Sequence, residues 1–162
     1  MKKPNIEIKN SEMKIIYIRF KGTYKEFRKE SRKMFNELFE FAEKNDLIIE
    51  GVSKVLTIYH DNPYITDQKN LKTSVAMSIK SDANVVEEGR ICTMDIAGKY
   101  AVLHYDIKLN EYEEAWQYAY QEWLFKNDEI KARDDFPFEL YVNEPPKNYK
   151  DSSLTDIYIP VE

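Results

Sequence analysis

Apolar and polar positions alternate along residues 14–20, with Ile16, Ile18 and Phe20 on one side and Ile15, Tyr17 and Arg19 on the other. That period of two predicts a β-strand. A weaker alternation at residues 5–9 (Ile6, Ile8) predicts a short strand before it, with Asn10-Ser11-Glu12 as the turn between them. After Gly22 the period changes. Thr23 followed by Glu26 is a capping box, in which each side chain satisfies a free N–H of the other at a helix start. Phe27, Ser31, Met34, Phe35, Leu38, Phe41 and Ala42 then recur at helical spacing until Asn45-Asp46. Residues 52–60 and 73–79 read as two further strands, joined by a loop that opens at Asp61-Asn62-Pro63, and the polar stretch 81–89 reads as a linker.

From Arg90 the same order returns. Residues 90–96 and 99–105 predict strands around a turn at Ala97-Gly98, and Asn110 with Glu113 predicts a second helix cap. Tyr112, Ala115, Trp116, Ala119, Tyr120 and Trp123 form an aromatic helical stripe ending near Asn127-Asp128. In residues 136–143, Phe136, Phe138, Leu140 and Val142 share one strand face, and Glu139 and Tyr141 the other. A Pro145-Pro146 loop and a strand at 154–161 close the chain. A shift of 85 residues carries Ile18 onto Leu103, Arg19 onto His104 and Phe27 onto Tyr112, and a shift of 82 carries Thr57 onto Glu139, Tyr59 onto Tyr141 and Val75 onto Ile157. The expected fold is therefore α+β: one domain over residues 1–162, built of duplicated βαββ units (about 5–80 and 90–162) with pseudo-twofold symmetry and a central ligand cleft between the halves. Thr57 and Tyr59 would face Glu139 and Tyr141 there, leaving one acid without a symmetry mate among tyrosines, the usual form of a small-molecule site.

Composition narrows the chemistry. At 162 residues with 33 % charged and 43 % hydrophobic side chains, this is an ordinary globular chain with room for a core. A net charge of −5 argues against direct nucleic-acid binding, and the basic run 21–33 is interleaved with Glu26 and Glu30, as on a solvated helix face. No signal-peptide core or membrane-length apolar run is present, and a lone cysteine, Cys92, fits a reducing cytoplasm. With His60 and His104 it has no metal-ligand spacing, so neither a metal nor a cofactor is expected. His60-Asp61 reads as a loop anchor, Cys92 and Trp123 as core residues, and Trp116 as a residue able to reach the cleft. Tyrosine is abundant, at 12 residues.

Six segments resemble a known family in their order: Tyr17-Ile18-Arg19-Phe20-Lys21-Gly22-Thr23-Tyr24, Ile58-Tyr59-His60-Asp61-Asn62-Pro63, Tyr100-Ala101-Val102-Leu103, Glu122-Trp123-Leu124, Phe138-Glu139-Leu140-Tyr141 and Thr155-Asp156-Ile157-Tyr158-Ile159-Pro160. The chain resembles the GyrI-like small-molecule-binding family, which includes bacterial gyrase-inhibitor proteins and the effector-binding domains of AraC- and MerR-type regulators. The resemblance implies the duplicated βαββ fold and the binding or sequestering of lipophilic, cationic or planar compounds, as in multidrug binding, with Glu139 as cation partner. The walls of the cleft are expected to be Tyr17, Tyr59, Trp116, Tyr141 and Tyr158. It also implies two alternatives, a protein–protein contact with DNA gyrase, and hydrolysis of strained cyclopropane-bearing natural products using Glu139. A binder needs only the carboxylate and aromatic walls, so binding is favoured over catalysis.

Overall fold

The computed structural model describes residues 1–144 and 148–162, so the expected Pro145-Pro146 loop lies outside the described residues. The alternating pattern at residues 14–20 forms a strand longer than expected. β1 runs unbroken through Asn5–Lys21, and β4 through Ile91–Lys108. The turns expected at Asn10-Ser11-Glu12 and Ala97-Gly98 do not form. None of Asn10, Ser11 and Glu12 has a positive φ, and Gly98 takes up φ +137° while the strand continues through it. The chain divides into two compact units near these same places, one of residues Glu12–Ala97 and one of Met1–Ser11 with Gly98–Glu162. Helices and strands are mixed in both.

In the 12–97 unit, helix α1 spans Tyr24–Lys44, β2 Val55–Tyr59 and β3 Lys72–Ile79. β3 lies between β1 and β2 and pairs antiparallel with each. The expected capping box starts α1: Thr23 Oγ1 accepts from the Glu26 N–H, and Glu26 Oε1 accepts from the Thr23 N–H, both at 3.1 Å. Phe27, Met34, Leu38, Phe41 and Ala42 point into a core with Ile16, Ile18, Val75 and Met77. Removing the cap by Thr23→Ala leaves helical N–H groups without an acceptor. It is expected to lower stability by about 0.5–2 kcal/mol, seen as an earlier denaturant midpoint at unchanged slope. A midpoint equal to that of the parent protein would show that water replaces the cap at no cost.

In the 98–162 unit, α2 spans Tyr112–Gln117 and continues as a π-helical segment, Tyr118–Leu124. β5 spans Phe138–Tyr141 and β6 Ser152–Pro160, and β6 pairs antiparallel with both β4 and β5. The Asn110 cap does not form. A 3-10 turn at Leu109–Glu111 precedes α2, and the Lys108 N–H is satisfied instead by Glu111 Oε1 at 2.8 Å. The helix packs on Ala101, Leu103, Tyr105, Ile157 and Ile159, and the Tyr105 hydroxyl donates to the Ala115 carbonyl at 2.8 Å. Arg133 donates to the carbonyls of Val161 and Lys99, and its guanidinium lies 5.1 Å over the Tyr100 ring. It fills the space beside Gly98, where an added Cβ would stand 2.5 Å from Nη2.

The remaining expectations divide. His60 Nε2 meets Ser74 Oγ at 2.7 Å, and burial pushes its ring down to about 4, so it is neutral near neutral pH. Asp61 Oδ2 accepts from the Lys72 N–H at 2.7 Å, which anchors the loop as expected. Cys92 is half-buried rather than a core residue, and its thiol is pushed up, first by burial. Trp123 is partly buried and packs against the 98–162 core. Among the described residues no helix is long and apolar enough to cross a membrane.

Candidate functional site

β5 is four residues long, and alternation divides it sharply. Phe138 is directly paired with Tyr158, and Glu139 with Ile157. Glu139 and Tyr141 therefore point toward α2, while Phe138 and Tyr158 lie on the opposite face. On the helix side, Glu139 is 4 % exposed. Its Oε1 accepts from the Tyr141 hydroxyl and its Oε2 from Trp116 Nε1, each at 2.9 Å. These two donors orient the carboxylate. Placing an ionised group so far from water is costly unless hydrogen bonds satisfy it.

Trp116 is itself braced. Its ring stacks on Tyr120 at 6.1 Å between centroids and 16° between planes, and Tyr120 meets Phe125 at 5.9 Å. Tyr120 titrates high, at about 12, because it is buried. Tyr112, one helical turn before Trp116, shares a 2.7 Å hydrogen bond with Thr155. Its hydroxyl is held above its ordinary range first by burial and, further down, by the negative charge of Glu139, against a lowering hydrogen bond to Thr155. The i, i+4 spacing of Tyr112, Trp116 and Tyr120 on one helix face was the signal for this wall; Tyr112, Tyr120 and Thr155 are the additions to the expected set.

Of the six residues expected to share a site, Glu139, Trp116 and Tyr141 come together. Tyr158 does not. It stacks on Phe138 at 4.5 Å and 15°, on the face of β5 and β6 away from Glu139. Tyr59 and Tyr17 belong to the 12–97 unit, where pairing puts them on opposite faces of the sheet, since Tyr59 is opposite Thr73 and Tyr17 opposite Ala76. Tyr59 packs edge-on against Tyr24 at 5.8 Å, and Tyr17 lies under the Arg19 guanidinium at 5.7 Å. No group of three or more metal-ligating side chains occurs among the described residues.

The Tyr158 face carries a second polar cluster. His104 Nδ1 meets Asp156 at 2.7 Å and Nε2 meets Glu7 at 3.1 Å, and Lys9 stands 5.6 Å over the Tyr158 ring and 3.9 Å from Glu7. A ring with a carboxylate at each nitrogen is best satisfied as imidazolium, donating twice. Burial lowers its pKa, but the hydrogen bonds to Asp156 and then Glu7 outweigh that and hold it above the ordinary 6.5. The folded value exceeds the unfolded one, so this stabilisation is fully present below about pH 6.5 and is lost as pH rises through the folded value. Denaturant midpoints of the parent protein should accordingly decline above pH 6.5 more steeply than those of His104→Gln. Parallel profiles would mean that the clamp contributes nothing.

The GyrI-like small-molecule-binding domain matches residues 3–162 of this chain. A candidate transcriptional regulator of Bacillus subtilis (strain 168), the SPbeta prophage-derived YosT, is 23 % identical over 151 residues, covering 93 % of this chain and 94 % of YosT. Among solved structures, the C-terminal domain of EcmrR superposes with a TM-score of 0.71 at 18 % identity, covering 98 % of each chain. The EcmrR–DNA complex gives 0.75, where this chain spans 57 % of the EcmrR length. SAV2435 bound to tetraphenylphosphonium gives 0.59 at 14 % identity, over 98 % of this chain and 94 % of that one. A match over nearly every residue settles the relationship: the chain belongs to the GyrI-like small-molecule-binding domain family.

Proposed function

We propose that this chain binds lipophilic cations on the helix-facing side of β5 and β6, with Glu139 as the charge partner and Trp116, Tyr141 and Tyr112 as its aromatic surroundings. The observation that carries this reading is the Glu139 carboxylate, almost removed from water and oriented by an indole N–H and a phenol O–H. In such surroundings the effective dielectric falls and the pull on a nearby cation grows. Aromatic faces add about 0.5–2 kcal/mol of cation–π attraction. The same fold in SAV2435 holds tetraphenylphosphonium, a bulky cation with no hydrogen-bond donor, which suits a carboxylate whose oxygens already accept from protein groups. Tyr17 and Tyr158 leave the set because they lie on the far faces of their sheets.

We also infer that the two units are copies of one βαββ element. The support lies in the pairing registers: the shifts of 82 and 85 carry Thr57 opposite Val75 onto Glu139 opposite Ile157, and Ile18 opposite Val75 onto Leu103 opposite Ile157. Duplication supplies a neutral Thr57 where the other copy has Glu139, so one copy alone carries the charge.

Calorimetric titration with tetraphenylphosphonium and with tetraphenylborate tests the reading, because the two ions share shape and differ in sign. Saturable binding of the cation with at least about ten-fold preference over the anion, a gap of about 1.4 kcal/mol, is the expected result. Equal affinities, or no binding of either, would overturn it.

A further inference from the structure

The basic run between Lys21 and Lys33 looks interleaved with acid in sequence order, but helical geometry sorts it. At 100° per residue, Lys25, Arg28, Lys29, Arg32 and Lys33 fall within an arc of about 140°, and all five are exposed. That arc lies opposite the stripe of Phe27, Met34 and Leu38 that α1 buries. Glu26, Glu30 and Glu37 fall on one flank, roughly 100–140° round from Lys25. Two of them are engaged elsewhere, Glu26 in the cap with Thr23 and Glu37 in a two-pronged bond with Arg90 at 2.6–3.2 Å. None of the five cations forms an ion pair with a carboxylate among the described residues. The charge of −5 is therefore an average over an uneven surface. Residues 21–33 hold six Lys or Arg against two Glu, which leaves 18 basic against 27 acidic residues in the rest of the chain.

We infer that this outer face of α1 docks on the phosphate backbone of duplex DNA without reading its sequence. The ridge is about 12 Å long at 1.5 Å per residue, which spans three to four phosphates of one strand at about 3.4 Å per step. It carries point charges and no anchor of the kind that centres a protein–protein interface, where buried aromatic or apolar side chains dominate. The nearest large apolar side chain exposed on α1 is Phe39, about 9 Å further along the axis. A flat anionic bilayer would meet the Glu26, Glu30 and Glu37 flank together with the cations, whereas a phosphate backbone over the 25–33 segment avoids that flank and also Glu40 and Glu43, which share the ridge's azimuth about 10–15 Å further along α1. This inference does not depend on the ligand reading above, since no residue is shared between the two.

The test is fluorescence anisotropy of a labelled 20-base-pair duplex of arbitrary sequence, titrated with the full chain from 20 to 200 mM NaCl. The parent protein should bind at 20 mM, with a salt slope no steeper than about −3.6 for the four phosphates the ridge can span, at about −0.9 for each. The variant K29Q/R32Q/K33Q should bind about ten-fold or more weakly, and its slope should flatten by about 0.9 for each phosphate left unneutralised. The charge-keeping variant K29R/R32K/K33R should bind like the parent, and both variants should keep the parent's tetraphenylphosphonium affinity and circular dichroism, which separates loss of the ridge from loss of the fold. Absence of duplex binding at 20 mM, equal affinity of parent and neutral variant, or tighter binding to phosphatidylserine vesicles or to polyglutamate than to the duplex would each overturn the inference.

Discussion

Phe138→Ala is expected to lower the stability of the chain by about 3–5 kcal/mol, the range for deleting a buried phenyl ring. Phe138 has no exposed surface. Its ring stacks on Tyr158 at 4.5 Å and meets Tyr100 edge-on at 5.6 Å, and Tyr100 also meets Tyr158 at 5.7 Å. Removing the central ring of this trio opens a cavity that two tyrosines, held by β4 and β6, cannot close without leaving the sheet. The loss falls on β5, which has only four residues and carries Glu139 at its second position. Phe138→Leu should recover most of the stability, because it restores volume but not the stacking. Urea denaturation of the three proteins measures this directly. A loss below about 1 kcal/mol for the alanine variant would mean that the rings repack and that β5 is not held from this face.

Much of this architecture was legible in the residues, and what was missed has physical causes. The capping box at Thr23 was readable because both partners are local and their spacing is fixed by the helix. Glu139 and Tyr141 were readable as same-face residues because a strand alternates wherever it is placed. The walls from other strands were harder. Whether Tyr158 joins Glu139 depends on which residue of β6 pairs with which residue of β5, and a slip of one position exchanges the faces. The observed register pairs Tyr158 with Phe138 and so takes it away.

The unbroken course of β1 and β4 was hidden for another reason. Asn10-Ser11-Glu12 and Ala97-Gly98 have turn composition, but composition only permits a turn, and the strand passes through Gly98 in a positive-φ conformation that glycine adopts without strain. Gly98 keeps its extended neighbours on either side while Arg133 occupies the space a side chain would need. The π-helical stretch after α2 had no sequence signal, because Tyr118–Leu124 continues the same apolar spacing that an α-helix would use. The basic run on α1 is a solvated helix face as expected, but chain order hid how it is sorted, since Glu26 and Glu30 interrupt it in sequence and stand aside around the helix.

Glu139→Gln should weaken binding of tetraphenylphosphonium by at least about 1.4 kcal/mol, roughly ten-fold, because this cation donates no hydrogen bond and what it loses is the Coulomb attraction of the carboxylate. The substitution keeps the shape and removes the negative charge. It also keeps the local hydrogen bonds workable. The new amide carbonyl can accept from Trp116 Nε1, which only donates, while the amide N–H₂ can donate to Tyr141, whose hydroxyl can reverse its role. Folding stability should therefore change little, since the shape and the two hydrogen bonds are kept. Affinity for the anion tetraphenylborate should increase in the same variant, because a like charge is removed, and a shape-driven pocket would show no such reversal. Titrations of both ions into both proteins, followed by Trp fluorescence, give the four affinities needed. If the substitution leaves the cation's affinity unchanged, Glu139 is a structural carboxylate tying β5 to α2, and the charge that selects the ligand has to be sought elsewhere in the chain.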